Sequence, residues 1–204
     1  MAAHADGLVM SASGNPMPLA AAEALAARIG AELAPFCEHF EVVGSVRRRR
    51  PLVNDLDFAV LLRPGAEGAF RSRALAKTQA IRDGENVLSV RLQNGRQVEF
   101  YFARREAADL LRRERGTLGL VRLIRTGSKN HNVKLCAQAK KLGLHLNPNF
   151  GVFGPRGWKP NLPAEIRHSL VMQQRGTAEC LAAATEEEIF ECLKVPFVAP
   201  ELRE

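Results

Sequence analysis

The chain has 204 residues, of which 46% are hydrophobic and 25% are charged, a balance typical of a globular protein with a buried core. Its net charge of +7 and isoelectric point near 9.7 favour an anionic partner, of which nucleic acid is the commonest. No apolar run approaches the ~20 residues that cross a membrane. The N-terminus lacks a signal-peptide pattern, and the four cysteines show no zinc-ligand spacing. We therefore expect a cytoplasmic protein with reduced thiols.

Small and polar residues dominate the first 18 positions and predict a flexible lead-in. The elements predicted after it are, in chain order, an Ala-rich helix over 19–40, a short strand over 41–43, a turn at Gly44 and Ser45 that opens a helix, a strand after Asp55, and a helix over 69–83. Because the first N–H groups of a helix are unpaired, the Gly44-Ser45 turn is predicted to face an anion.

Two aspartates stand one residue apart at the head of the predicted strand. Residues i and i+2 of a strand point to the same face, so Asp55 and Asp57 project together, while Leu56 and Phe58 line the other side. Two carboxylates this close repel each other unless a cation lies between them, and a divalent ion is the obvious candidate. The pattern predicts metal-dependent transfer of a nucleotide.

A hairpin is predicted next, because apolar runs over 87–93 and 96–102 flank Asn94-Gly95. In its second strand Val98 and Phe100 share one face, and Glu99 lies on the other. If this strand neighbours the aspartate strand, three carboxylates converge.

Basic residues become frequent after the hairpin, and 104–141 has helical periodicity over much of its length. The following 143–163 is rich in Gly, Pro and Asn and predicts turns with short strands. Thr185 with Glu188 three residues later has the form of a capping box and predicts a last helix.

Five motifs then carry a resemblance to a known family. They are, in order, Gly44-Ser45-Val46-Arg47-Arg48, Asp55-Leu56-Asp57, Val98-Glu99-Phe100, Thr126-Gly127-Ser128-Lys129-Asn130-His131-Asn132, and the C-terminal signature at 185–190 and 196–204. Together they resemble the polymerase core of family X DNA polymerases, the group that includes DNA polymerase beta. The resemblance implies an α+β fold: a polymerase beta-like palm with a mixed sheet and helices on one face over 19–115, then a helical and mixed nucleotide- and DNA-binding subdomain over 116–204. It also implies a minimal core without a lyase domain.

Residue roles follow from the resemblance. Asp55, Asp57 and Glu99 are expected to hold two Mg²⁺ ions and to carry the catalysis. The expected nucleotide contacts are Gly44, Ser45, Arg48, Arg125, Gly127, Ser128 and Asn132. Lys129, Lys134 and Lys140 are expected to follow the phosphates of DNA.

Two departures from the family pattern affect these expectations. The third carboxylate of the family is usually aspartate, and the extra methylene of Glu99 moves its oxygens by ~1 Å, a shift that slows chemistry or favours Mn²⁺. The pair before the T-G-S motif is commonly aromatic, and here it is Ile124-Arg125. Acceptance of ribonucleotides is therefore expected as well.

The resulting hypothesis is a DNA polymerase that adds nucleotides from (d)NTPs to a DNA 3′-hydroxyl during short gap filling in repair. Partners are DNA and the nucleotide; we expect a monomer, with an accessory DNA-binding protein as an option. One alternative is a template-independent terminal transferase acting on DNA or RNA. Another is a non-catalytic nucleic-acid-binding module whose basic segment binds the partner.

Overall fold

The computed structural model describes residues 16–105, 116–173 and 178–204 of the chain. Within these residues no helix combines the length and the apolar character that crossing a membrane requires. Residues 1–15 of the predicted lead-in and the segment 106–115 lie outside the described residues, and the predicted boundary between the palm and the C-terminal subdomain falls at the end of that second gap. That boundary therefore stays a prediction.

Strands and helices alternate along the chain, as expected of an α+β fold. The strands are β1 (Met17–Pro18), β2 (Cys37–Val42), β3 (Leu52–Val53), β4 (Leu56–Leu62), β5 (Gln79–Asp83), β6 (Val87–Arg91), β7 (Gln97–Phe102), β8 (His145–Asn147), β9 (Gly151–Pro155) and β10 (Ala178–Ala182). The helices are α1 (Leu19–Leu33), α2 (Gly44–Arg47), α3 (Glu67–Leu75), α4 (Leu118–Thr126), α5 (Lys129–Lys141), α6 (Ala164–Gln173) and α7 (Glu186–Cys192). Short 3₁₀ helices occur at Ala34–Phe36 and Pro200–Leu202.

A five-stranded mixed sheet in the order β2-β4-β7-β6-β5 forms the first half of the molecule. Its β4 and β7 run parallel, and every other pair is antiparallel. The aspartate strand therefore lies next to the second strand of the hairpin, which is the condition under which the three carboxylates were expected to converge. A smaller antiparallel sheet, in the order β10-β9-β8, belongs to the second half.

Each half has its own hydrophobic core. In the first, α1 and α3 pack on one face of the large sheet, and Phe58, Phe70 and Phe100 are buried there in ring contact. In the second, α4, α5 and α7 pack with the small sheet around residues such as Leu123 and Phe190. The predicted fold class, a mixed sheet with helices on one face followed by a helical and mixed subdomain, is confirmed.

The first predicted helix was too long. Helix α1 ends at Leu33, and the chain passes through the 3₁₀ helix into β2, which begins at Cys37 instead of Glu41. Pro35 lies in this turn, and because proline has no N–H to donate it does not continue an α-helix. The residues that follow then pair with β4, so tertiary pairing decided their conformation.

The helix predicted over 69–83 was also wrong in its second half. Helix α3 ends at Leu75, and Gln79–Asp83 forms the edge strand β5 against β6. All five side chains of β5 are exposed, so no apolar periodicity marks the strand in the sequence. Pairing with β6 stabilises the strand, together with the ion pair between Asp83 and Arg71.

The hairpin was predicted correctly, with one refinement. Leu92 N–H donates to Arg96 O at 2.8 Å and Gly95 N–H donates to Leu92 O at 2.9 Å, which closes a three-residue loop with Gly95 at φ 81°. This is the turn followed by a left-handed glycine that commonly joins antiparallel strands. The predicted helix cap at Thr185 is likewise present, since its Oγ1 accepts from Glu188 N–H at 3.1 Å.

Candidate functional site

Three carboxylates lie close together on two neighbouring inner strands of the large sheet, β4 and β7. Asp55 directly precedes β4, Asp57 is the second residue of that strand, and Glu99 is the Cα partner of Asp57 on the parallel strand β7. Neighbouring strands lie about 4.8 Å apart, and paired residues of a parallel ladder point to the same face. The structure thus brings together the three side chains that the sequence singled out.

Burial and mutual repulsion both act on the aspartates. The pKa of Asp57 is raised to about 7: burial raises it most, the charges of Asp55 and Glu99 raise it as well, and those of Arg125 and Arg48 oppose the rise. The pKa of Asp55 is raised by burial and by Glu99. A cation placed between these groups would relieve the repulsion that raises both pKa values.

A divalent cation fits the two aspartates by donor chemistry, since Mg²⁺ and Mn²⁺ prefer hard carboxylate oxygens. Within the described parts of the chain, no three acidic, histidine or cysteine side chains stand ready to hold a metal ion. Hydrogen bonds explain the position of Glu99: its Oε1 accepts from Ser89 Oγ at 2.7 Å and from Gln97 Nε2 at 3.2 Å, and its Oε2 accepts from Tyr101 Oη. Asp55 and Asp57 could therefore bind the ion with their carboxylate oxygens. Glu99 would have to bind it with oxygens that already accept three hydrogen bonds.

The Gly44-Ser45 turn lies against Asp57. Helix α2 has only four residues, so its dipole is small, and side chains provide most of what this turn can offer an anion. Ser45 Oγ and Arg48 Nε are buried and have no hydrogen-bond partner among the described residues. Such orphaned polar atoms are rare unless a ligand or water completes them.

Gly44 is required at this turn for two reasons. Its φ of +61° is a left-handed conformation, and a Cβ at this position would overlap Asp57 Oδ2. We expect Gly44→Ala to lower the free energy of unfolding by more than the ~1–2 kcal/mol of a left-handed residue alone. Gly95→Ala is the matched control, because Gly95 has φ +81° and open space around its Cβ position. Chemical denaturation of both variants gives the comparison; equal losses would show that Gly44 does not touch the carboxylate.

A cleft of about 610 Å³ opens beside Asp57, between β7, α4 and α5. It contains four residues of the T-G-S segment: Gly127, Ser128, Lys129 and Asn132. Gly127 has φ +69°, and Ser128 caps α5 by accepting from His131 N–H at 3.2 Å. Asn132 Nδ2 donates to Ile124 O at 2.8 Å, which leaves its buried Oδ1 without a partner among the described residues.

The three lysines expected to bind DNA do not share one surface. Lys129 and Lys140 line the cleft, eleven residues apart and therefore on nearly the same side of α5. Lys134 lies on another side and places its Nζ 3.5 Å from the carbonyl oxygen of Glu204. The structure brings two of the three to the site.

Comparison with known proteins agrees with this geometry. Residues 121–204 match the family model described as DNA polymerase beta thumb. A polymerase beta from Leishmania infantum, solved as a ternary P/T complex, is 21% identical with a TM-score of 0.64, over 94% of this chain and 78% of its own. The same enzyme as a ternary gap complex gives 19% identity and a TM-score of 0.64, over 94% and 72%. No curated protein matches the sequence.

The chain resembles the family X polymerases in its fold and in its thumb sequence. The resemblance expected from the five motifs is thereby confirmed, both in the fold and in the thumb sequence. This likeness indicates a protein of the polymerase or nucleotidyltransferase kind. The thumb match begins inside α4 and includes the T-G-S segment that lines the cleft.

Sequence reasoning missed the contact that joins the two halves of this polymerase-like protein. Arg47 of α2 donates to both carboxylate oxygens of Glu186 on α7, at 2.8 and 2.7 Å, and to Thr126 Oγ1 at 2.7 Å. Arg203 near the C-terminus donates to Glu186 Oε1 at 2.8 Å, and its side chain is fully buried. Bidentate arginine–carboxylate pairs are directional as well as strong. Arg47, Glu186 and Arg203 therefore form a buried ion-pair cluster that holds α2 beside α7.

A second missed residue is Tyr101, on the cleft side of β7. Its hydroxyl donates to Glu99, and the guanidinium carbon of Arg125 lies 4.2 Å from the centre of its ring. Only the alternation of β7 could have suggested it, because that pattern puts Tyr101 on the same face as Glu99.

Proposed function

We propose that the protein is a nucleotidyltransferase of the DNA polymerase type, which adds nucleoside monophosphates from (d)NTPs to a DNA 3′-hydroxyl during short gap filling. One observation carries the proposal: Asp57, at register with Glu99 and next to Asp55, lines the same cleft as Arg48 and Asn132, whose buried polar atoms lack partners among the described residues. Carboxylates that could hold metal ions therefore lie beside polar groups that, in this proposal, would bind phosphate and base.

The division of labour follows from the position of each residue. Asp55 and Asp57 would hold two Mg²⁺ ions, or Mn²⁺ in their place, and Glu99 would complete the site. When bound, the ions supply activation of the hydroxyl and neutralisation of phosphate charge. Ser45 Oγ and Arg48 Nε are buried donors without a partner among the described residues, and Arg48 interacts with the charges of both aspartates, so these two residues would bind the β- and γ-phosphates.

In the proposed reaction the 3′-oxygen attacks the α-phosphorus, and the bond from that phosphorus to the bridging oxygen breaks. Pyrophosphate leaves in line with the attack, and the hydroxyl proton passes to a carboxylate, for which Glu99 is placed. Farther along the cleft, Gly127 permits close approach of the nucleotide, and the unpaired Oδ1 of Asn132 can accept from a base edge. Arg125 faces the same space.

The test compares substrates. Purified protein is given a one-nucleotide gap in DNA, a single-stranded DNA primer or an RNA primer, with each dNTP and NTP separately and with Mg²⁺ or Mn²⁺. We expect incorporation on the gapped DNA that follows the template base, and none after chelation of the metal. Incorporation that ignores the template would instead establish a terminal transferase. DNA binding without any incorporation would establish the non-catalytic module and overturn the proposal.

The two lysine faces of α5 predict different effects on DNA binding. We expect Lys129→Ala with Lys140→Ala to weaken binding and to reduce the slope of log K against log [salt] by about 1.8, since each neutralised phosphate adds about 0.9 for duplex DNA. Lys134→Ala with Lys141→Ala is the control of equal charge; both residues are exposed on another side of the helix. Fluorescence anisotropy across a salt series measures the slopes. A larger change in the control would place DNA on the other face.

A further inference from the structure

Tyr101 holds two groups of the site at once. The hydroxyl donates to Glu99 Oε2, while the ring supports the guanidinium of Arg125 at 4.2 Å. The ring itself packs on the small apolar cluster of Val43, Ala59 and Val121, which lies between the large sheet and α4. A half-buried side chain anchored on three elements has little freedom to turn.

The hydroxyl controls one oxygen of Glu99. Ser89 and Gln97 both donate to Oε1, whereas Tyr101 donates to Oε2. A phenol is protonated near neutral pH, so the Tyr101 hydroxyl is available as a donor to Glu99. Groups that hydrogen-bond a metal-binding carboxylate fix its orientation, and their loss weakens metal binding.

The ring controls Arg125 separately. Arg125 lies in the last turn of α4 and lines the cleft together with Asp57. Among the described residues no carboxylate lies within ion-pair distance of it, so the aromatic face is its principal support. A guanidinium over a tyrosine ring is attracted by the ring quadrupole and is held parallel or tilted in a narrow range of positions.

We propose that Tyr101 is a positioning residue with two separable tasks: its hydroxyl orients Glu99 toward the aspartate pair, and its ring presents Arg125 to the incoming nucleotide. The inference rests on the proposed nucleotidyl transfer and adds to it a residue that touches neither metal nor substrate. Because the two tasks use different atoms of one side chain, substitutions can remove them one at a time.

Three variants separate the tasks. Tyr101→Phe keeps the ring and removes the hydroxyl, Tyr101→Leu removes both, and Arg125→Ala removes only the supported group. Thermal unfolding of each variant shows that it is folded. Mn²⁺ affinity, measured by calorimetry without DNA or nucleotide, gives a readout independent of activity; kcat and KM for the nucleotide on gapped DNA give the second.

We expect Tyr101→Phe to bind Mn²⁺ about tenfold more weakly than the wild type. Its kcat should fall, while KM for the nucleotide stays within about twofold because the support of Arg125 is intact. Arg125→Ala should show the reverse, a raised KM with unchanged Mn²⁺ affinity, and Tyr101→Leu should show both defects. If Tyr101 had only a structural role, the loss of its hydroxyl would not lower kcat while leaving KM unchanged.

Other outcomes are equally decisive. The proposal would be overturned if Tyr101→Phe bound Mn²⁺ as tightly as the wild type does. It would also be overturned if Tyr101→Phe raised the KM for the nucleotide and Arg125→Ala did not. If the wild type binds Mn²⁺ but incorporates no nucleotide, the proposed function fails, and the Mn²⁺ comparison still decides the role of the hydroxyl. Absence of Mn²⁺ binding by the wild type would overturn both.

Discussion

Asp57→Asn is expected to lower the rate of nucleotide incorporation by a factor of about 10³ or more, with Mg²⁺ and with Mn²⁺ alike. Asp57 follows Asp55 by two residues in the chain and is the strand partner of Glu99, so it is close to both of the other carboxylates. An asparagine keeps the shape of the side chain but removes the charge that a divalent ion needs. Single-turnover incorporation on gapped DNA measures the loss.

Asp83→Asn is the matched control for this variant. Asp83 is an exposed carboxylate of the same sheet, on the edge strand β5, where it pairs with Arg71. Its replacement should leave the rate unchanged. Burial and neighbouring charges raise the pKa of Asp57 to about 7. Stability therefore falls as the pH rises towards 7, and the full cost of the buried charge is present at pH 8. Without metal, Asp57→Asn should be no less stable than the wild type at that pH. An active Asp57→Asn enzyme would remove the aspartate pair from the mechanism.

Glu186→Gln is expected to lower the free energy of unfolding by about 3–5 kcal/mol at pH 7, because it removes the counter-charge of the buried Arg203 and one of the two carboxylates, Glu186 and Glu41, that pair with Arg47. The side chains involved are almost fully enclosed: Glu186 is 2% exposed, Arg203 0% and Arg47 13%. Exposed ion pairs contribute far less, since water screens them. Urea denaturation followed by circular dichroism measures the difference.

Glu187→Gln provides the control, one residue along the same helix with an exposed side chain, and should change stability by less than about 0.5 kcal/mol. The pH dependence gives a second check. Hydrogen bonds and the charges of Arg47 and Arg203 hold the pKa of Glu186 below its ordinary 4.5, although burial opposes them. A carboxyl with a lowered pKa stabilises the fold above its unfolded pKa, and this contribution is lost as the pH falls through the folded value. The difference between wild type and Glu186→Gln should therefore shrink below about pH 4.5; a constant difference would mean that charge is not its cause.

Local signals in the sequence predicted the elements that position the site. The alternation after Asp55 predicted β4, the Asn94-Gly95 pair predicted the hairpin, and the Thr185 cap predicted the start of α7. In each case the residues that decide the conformation are neighbours in the chain. The face of Glu99 also followed from alternation alone, and the parallel pairing of β4 with β7 then brought it beside Asp57.

Elements that depend on distant partners were not predictable in this way. Strand β5 has no buried side chain and exists through its pairing with β6, while β10 pairs with β9 more than twenty residues earlier. Glu186 illustrates the same limit at the level of side chains. In the sequence it is one of three glutamates in the first turn of a helix, and only folding brings it to Arg47, 139 residues away.

A crystal structure of the protein with Mn²⁺ and a non-hydrolysable dNTP analogue tests the central claim most directly, because anomalous scattering locates the metal independently of the electron density of the nucleotide. We expect manganese peaks bridging Asp55 and Asp57, the triphosphate against Ser45 and Arg48, and the base beside Asn132. Manganese at another site, or a nucleotide bound outside the cleft, would contradict the account.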